Sequence, residues 1–443
     1  MSPRHSNNDH EAKSPVIYFD SKLKIFVEVL SVEDITDAPI DLEEESADPE
    51  QWRTIASNVI RLRRAKRLSQ KQLAQKAGIS LTKLTNLEKA ASEPSYRTVQ
   101  EVAEALEEKM IVVLRPVRPL VSVRFRALKK IDRLQYLHFA KENLLAKVSN
   151  WLDEYCFLED LLDDKMEFNL SYDLNEKNCS DPLTMITLAK DSRERLNLTP
   201  DEPINNIAGL IEEAGVKIGF FNAPIESLFG FSVGREDGGP AIIINMWDKI
   251  PWERRIFTTA HELALIIFRF ASLDHIEEND NEEKMANVFA SHFLMPNTAF
   301  VKAWNNAPSK KLFPRVFFVK QIFRVSYKTV LSRLIDNKLF DWFDKRPNGD
   351  NNVYSQFKNK YSDIYNRQLA NVEEPEPLVY EKDPLKPNHF VDFHADRFLN
   401  LTIDAVKKDE ISFPRGAEIL ELDLNTMWEL ITGTKLFDGF TTD

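Results

Sequence analysis

SQKQLAQKAGISLTKLTNLEKA, Ser69–Ala90, is the stretch that decides the fold of the first part of this chain. Ser69 and Ser80 can each cap a helix, because a serine hydroxyl accepts hydrogen bonds from the free amides of a first turn. Gly78 lies just before Ser80, where a left-handed residue can reverse the chain. The spacing predicts two short helices joined by a tight turn, with buried side chains at Leu73, Ala74, Ile79, Leu84 and Leu87.

The same spacing of small, glycine, apolar and capping residues resembles the phage-repressor (Xre) helix-turn-helix family, from about Ile55 to Leu106. The resemblance implies that the second helix enters the major groove of a double-stranded DNA operator. By position, base edges would face Leu81, Thr82 and Asn86, and phosphates would be contacted by Gln70 and Lys83. The alternative is a helical hairpin that serves only dimerisation or docking. Because one such module binds weakly, we expect a homodimer on a palindromic site.

Charge is distributed unevenly along the 443 residues, whose formal net charge is −12. The segment 33–50 contains nine acidic residues and no Lys or Arg, whereas the segment 50–110 contains 12 Lys and Arg against 7 Asp and Glu. The overall charge argues against wrapping nucleic acid with the whole surface. A basic segment within an acidic chain is typical of a small DNA-contacting module.

Composition also limits where the protein would act. No apolar run approaches the roughly 18 residues that span a bilayer, and MSPRHSNNDHEAKSP at the start has no apolar stretch for a secretory signal. Cys156 and Cys179 fit a reducing compartment and form no metal-type pair. We therefore expect a cytoplasmic protein without a membrane partner.

The second informative segment is IFTTAHELALIIFRF, Ile256–Phe270, followed by NEEKMANVFASHFLMP, Asn281–Pro296. In a zincin, the first helix carries H-E-x-x-H, which places two imidazoles on one face and a glutamate that activates bound water. Here His261 and Glu262 are followed by Leu265 at the second histidine position. From these residues alone, an isolated His-Glu pair on an apolar helix is usually structural.

The combined pattern resembles the ImmA/IrrE-type metallopeptidase family, over roughly Phe125 to Phe340. The matching parts are TxAHEL, the helix from Glu283 to Pro296, the strand AIIIN and FxVSxxTVxxRL. The resemblance implies that His261 is a first ligand, Glu262 the general base and Glu283 a third ligand. Leu265 departs from the pattern at the second ligand, and Ala264 replaces the usual glycine.

A leucine offers no lone pair, so losing one of three protein ligands should weaken zinc binding by orders of magnitude. His292 lies about half a helical turn out of phase with Glu283 and should point away. A loop rescue by Asp274 or His275 stays open. The interpretation that we favour is a pseudo-peptidase with no catalytic residue, no metal and no cofactor. Zinc would bind only if another ligand completes the site.

The expected fold class is α+β and predominantly helical. It comprises an all-α helix-turn-helix domain, a zincin-like α+β domain and a C-terminal helical unit. We place these at 51–110, 181–340 and 341–443, the last including an extended segment at 348–388 and two helices near 398–408 and 416–431. The segment 1–50 would hold a strand-forming extension and an acidic linker, and 111–180 a connector with strands at 111–125.

Three functions follow from these features. The first is a DNA-binding transcriptional regulator, an antitoxin of a toxin–antitoxin pair or a prophage-type repressor, whose inactive domain binds a protein such as a small toxin. The second is an active zinc metallopeptidase that cleaves a repressor. The third is a ligand sensor in which the former metal cleft binds a small molecule.

Overall fold

The computed structural model describes residues 16–20, 25–29, 49–123, 135–174, 179–225, 227–270, 280–339, 352–370, 373–375 and 393–433. The chain divides into two compact units, residues 1–50 and 51–443. The first contains an antiparallel hairpin, β1 Val16–Asp20 and β2 Ile25–Val29. The hairpin confirms the strands predicted there, while most of the acidic linker lies outside the described residues.

Five helices form the next part of the chain: α1 Pro49–Ala65, α2 Gln70–Lys76, α3 Leu81–Glu88, α4 Tyr96–Ala105 and α5 Met110–Leu114. They enclose one apolar core, which includes Val59, Leu62, Leu84, Val102 and Val113. These helices agree with the all-α character expected of the helix-turn-helix domain.

The strands expected at 111–125 are absent from the described part, residues 111–123. Instead α5 ends at Leu114, and residues 115–123 form neither helix nor strand. Pro116 and Pro119 lack the amide that a strand needs for a ladder hydrogen bond. The segment is held by side chains: the Asp237 carboxylate accepts from Arg118 at 2.9 Å and from the Ser122 amide at 2.6 Å.

A small sheet forms the centre of the following part. The long helix α6 Gln135–Leu161 and the helices α7 Pro182–Arg195 and α8 Ile207–Glu213 precede or flank it. The strands β3 Lys217–Phe221, β4 Gly230–Val233 and β5 Ala241–Asn245 have the order β3-β5-β4, with β3 parallel and β4 antiparallel to β5. Ile243 packs with α6 residues on one face, and Ile242 and Ile244 belong to the helical core on the other.

The helical core contains α9 Trp252–Phe270, α10 Asp280–Leu294, α11 Asn297–Asn306, α12 Leu312–Phe323, α13 Tyr327–Asp336 and α14 Val353–Tyr365. The last helix lies where the sequence suggested an extended segment. Phe357 and Tyr361, one turn apart, are buried there, and Phe357 stacks on Phe313 and Tyr327. The helix forms here because its buried aromatic side chains pack on the core, although the neighbouring sequence has low hydrophobicity.

Three C-terminal helices follow: α15 Arg397–Lys407, α16 Phe413–Ile419 and α17 Leu424–Thr432. The sequence predicted only two helices here, because the residues of α16 and α17 were interpreted as one continuous helix. Glu154 on α6 anchors this part through Arg415 at 2.6 Å, and it also contacts Arg115, after α5, at 2.5 Å.

The fold is therefore α+β and predominantly helical, as expected. Within the described ranges, no helix combines the length and the apolar character needed to cross a membrane.

Candidate functional site

The turn between α2 and α3 has the geometry that the sequence predicted. Ser69 and Gln72 form a reciprocal capping box, with the Gln72 amide donating to Ser69 Oγ at 3.2 Å. Ser80 Oγ accepts from the Lys83 amide at 3.1 Å. Gly78 has φ +67°, and the next amide, of Ile79, returns to the α2 carbonyl of Ala74 at 3.0 Å. These bonds fix the angle between the two helices.

The outer face of α3 presents the residues assigned to base reading. Leu81, 47% exposed, lies with Thr82, Lys83 and Asn86 on the exposed surface. Thr85, on the same helix, is half-buried, and its hydroxyl donates to the Leu81 carbonyl at 2.8 Å. The face therefore offers an amide, a hydroxyl, a cation and an apolar group, the chemistry that reads base edges and phosphates.

A buried ion pair holds α3 against α1. Arg63 donates to the Glu88 carboxylate from Nε at 2.6 Å and from a terminal nitrogen at 2.8 Å. Gln70 at the start of α2 donates to the same carboxylate at 2.7 Å. The Gln70 side chain is thus oriented by Glu88, and its contact with a phosphate stays a prediction. Sequence reading missed Arg63 and Glu88, because a pair 25 residues apart has no local spacing signal.

The two residues to which the resemblance assigns ligand roles, His261 and Glu283, lie together. His261 on α9 lies 3.4 Å from Glu283 on α10, measured from Nε2 to Oε2. The other ring nitrogen, Nδ1, is 3.1 Å from Asn287 Oδ1, a contact that the sequence reading missed. Burial alone would lower the pKa of His261, but the hydrogen bond with Glu283 and the charge of Glu262 raise it above its ordinary value.

Leu265, at the second-ligand position, is 4% exposed and belongs to the apolar core. A three-ligand zinc site needs three lone-pair donors around an open position. The described residues contain no group of three His, Cys, Asp or Glu side chains arranged to hold a metal ion. Within the described ranges, the side chains around His261 therefore do not fit the zinc that this kind of helix pair implies.

The other candidate ligands do not complete the site in the described residues. His292 on α10 is hydrogen-bonded to Arg333 on α13 at 2.5 Å. Burial, together with the Arg333 charge, lowers the pKa of His292 to about 3. This imidazole is therefore neutral and engaged in packing two helices. Asp274 and His275 lie outside the described residues.

These two arrangements define a helix-turn-helix protein with a second domain built around a zincin-like pair of helices. Residues 59–111 match the helix-turn-helix family model, and residues 211–334 match the IrrE N-terminal-like domain model. The chain thus carries an Xre-type helix-turn-helix fused to an ImmA/IrrE-type domain, as the sequence predicted.

The first match supports DNA binding. The second establishes a peptidase-like domain. Comparison with curated proteins finds no match.

Among solved structures, a Mycobacterium tuberculosis transcriptional regulator is similar at 16% identity and a TM-score of 0.24. The alignment covers 45% of this chain and 53% of that protein, so this chain spans about half of its length.

Proposed function

We propose that this chain is a DNA-binding transcriptional regulator whose IrrE-like domain binds a protein instead of hydrolysing one. The observation that carries the proposal is the pairing of an exposed, polar α3 face with a buried Leu265 at the ligand position. The DNA-facing module keeps its chemistry, while the metal site has lost a donor.

Base reading is assigned to Thr82 and Asn86, with Leu81 placed to contact a thymine methyl group. A bidentate base contact contributes about 1–3 kcal/mol of discrimination. Replacing Asn86 with alanine should therefore weaken binding to the selected operator by about 5- to 150-fold. The assay is selection of a preferred site from random duplexes with the full chain, followed by titration of that site.

Lys83→Ala should weaken binding to every duplex and lower the slope of log affinity against log salt by about 1, because Lys83 would contact a phosphate. Lys190→Ala is the matched control, since it removes an exposed lysine from α7 in the other domain. Equal effects of the two lysine variants, or no sequence preference in the selection, would contradict the DNA-reading role.

The finer proposal is that the regulator is an antitoxin or a prophage-type repressor, which acts as a homodimer and binds a small toxic protein through its second domain. It predicts binding of the dimer to its own promoter, and tighter binding when the protein partner is present. Sedimentation of the purified chain with a promoter fragment tests both. A monomer that ignores its own promoter would contradict this proposal.

An active zinc peptidase is the second candidate, because the 3.4 Å separation of His261 and Glu283 is short enough for both to bind one ion. This alternative requires about one zinc per chain after purification without added metal. It also requires that Glu262→Ala abolish cleavage of a co-expressed repressor. We expect substoichiometric zinc, because Leu265 supplies no donor.

A further inference from the structure

The C-terminal helices repeat the backbone of the DNA-reading module, although their sequences differ. In α2–α3, a serine cap at Ser69 starts a seven-residue helix, and Ser80 caps the next helix eleven residues later. In α16–α17, Ser412 starts a seven-residue helix, and Asp423 caps the next helix eleven residues later.

The turn in each pair is closed by the same hydrogen bonds. The Ile79 amide donates to the carbonyl of Ala74 at 3.0 Å, and the Leu422 amide donates to the carbonyl of Ala417 at 2.9 Å. The residue before the apolar one is left-handed in both turns: φ is +67° at Gly78 and +57° at Glu421. A glutamate at this position conceals the turn from sequence reading, because glycine is the usual signal.

The buried positions also correspond. Ala74 and Ala417, both buried, allow close approach of the two helices in their respective pairs. Leu84 in α3 and Met427 in α17, each four residues after its cap, are fully buried. Residues 412–432 thus form a second helix-turn-helix.

The exposed surfaces of the two modules differ in charge. Residues 69–88 include three lysines and one glutamate, and that glutamate, Glu88, is buried against Arg63. The corresponding residues 412–431 include one arginine and four acidic residues, and that Arg415 is paired with Glu154 and Glu418. Phosphate would be repelled by the second module, because its exposed charge is negative.

The second module also exposes large apolar side chains. Leu424 and Trp428, one turn apart on α17, are 54% and 62% exposed, and Trp428 contacts Phe413 of α16 edge-on. They take the positions that Leu81 and Thr85 occupy on α3. An exposed tryptophan in an apolar patch with a polar rim is typical of the energetic centre of a protein–protein interface.

We propose that this second helix-turn-helix is a protein-docking surface, and that its partner presents an apolar pocket surrounded by basic side chains. The partner chemistry follows from charge complementarity, since Glu421 and Asp423 are exposed beside Leu424. The proposal rests on the proposed protein-binding role of this chain and names the surface that carries it. The module is fixed to α6 through Arg415 and Glu154, so docking occurs on a rigid support.

The test uses the full chain with p-benzoyl-phenylalanine in place of Trp428, cross-linked by light in cells of the source organism. We expect one cross-linked protein of basic isoelectric point. Its purified form should bind the wild-type chain, and Trp428→Ala should raise the dissociation constant at least about 30-fold. Leu424→Ala should act in the same direction, and affinity should fall with added salt.

Leu183→Ala is the matched control, because Leu183 on α7 is also an exposed leucine, at 71%. It should leave the partner affinity unchanged. Operator binding by Trp428→Ala should stay within about 2-fold of wild type, which separates this proposal from the DNA-binding role. A failure of the Asn86 variant to affect operator binding would count against that role alone.

Four results would overturn the docking proposal. They are a cross-link to a second copy of this chain, a cross-link to an acidic protein, no cross-link at position 428, and weakened duplex binding by Trp428→Ala with unchanged partner affinity.

Discussion

Glu88→Gln is expected to loosen helix α3 from the rest of the helix-turn-helix domain. The substitution keeps the shape of the side chain but removes the negative charge that Arg63 contacts with two nitrogens and Gln70 with one. The Arg63 and Glu88 side chains are only 11% and 4% exposed. Water therefore cannot replace the charge interaction that Arg63 loses. Breaking a buried pair by removing one partner costs about 3–5 kcal/mol.

We expect the lower end of that range, about 3 kcal/mol, because Arg63 keeps its hydrogen bond to the Leu68 carbonyl at 3.0 Å. Native-state hydrogen exchange on α3 amides measures this, and protection should fall about 100-fold. Glu101→Gln is the control, because the exposed pair of Glu101 with Arg97 contributes only about 0.3–0.5 kcal/mol. Equal losses of protection in the two variants would refute the reasoning.

Three further predictions concern the rest of the chain. Burial raises the pKa of Glu212 to about 7, so its folded state holds the proton more tightly than the unfolded chain. Stability should therefore fall by about 2–3 kcal/mol as pH rises from about 4.5 to 7.5. Thermal unfolding should show this loss in wild type and not in Glu212→Gln. Gly78→Ala should lower the free energy of unfolding by about 1–2 kcal/mol in thermal unfolding, because an alanine at φ +67° is strained. No atom lies within 4 Å of the new Cβ, so crowding adds nothing to this cost. Leu265→His should raise zinc content toward one per chain in elemental analysis, whereas Leu263→His, on the same helix but two residues away, should not.

Each of these has a clear opposing result. A wild-type unfolding temperature that rises through the pH range around 7 would contradict the charge assignment at Glu212. A Gly78→Asn variant as unstable as Gly78→Ala would contradict the conformational explanation, because asparagine tolerates left-handed backbone better. Zinc-free Leu265→His protein would show that His261 and Glu283 no longer hold a ligand geometry.

The first module was readable from the sequence because all its signals are local. Ser69, Gly78 and Ser80 act within a few residues of themselves, so capping and turn rules place both helices correctly. The imidazole–carboxylate contact between α9 and α10 also followed from the sequence, but only through family resemblance. Position alone could not show that His261 meets Glu283.

Other parts depended on contacts between distant residues. The segment after α5 has an alternating pattern that favours strands, yet it is held by Asp237, more than a hundred residues away. In the second module, Glu421 adopts the left-handed turn that glycine usually marks, so α16 and α17 read as one helix. Long-range ion pairs and a non-glycine turn leave no periodic trace in a sequence.

The carboxylate of Glu154 offers a physical route by which the two helix-turn-helix modules could be coupled. It contacts Arg115, next to the first module, and Arg415, within the second. Because both arginines contact one carboxylate, displacing either of them would change the electrostatic environment of the other. Such coupling would be reciprocal. If a protein bound to α17 changed the affinity for the operator by some factor, the operator would change the affinity for that protein by the same factor.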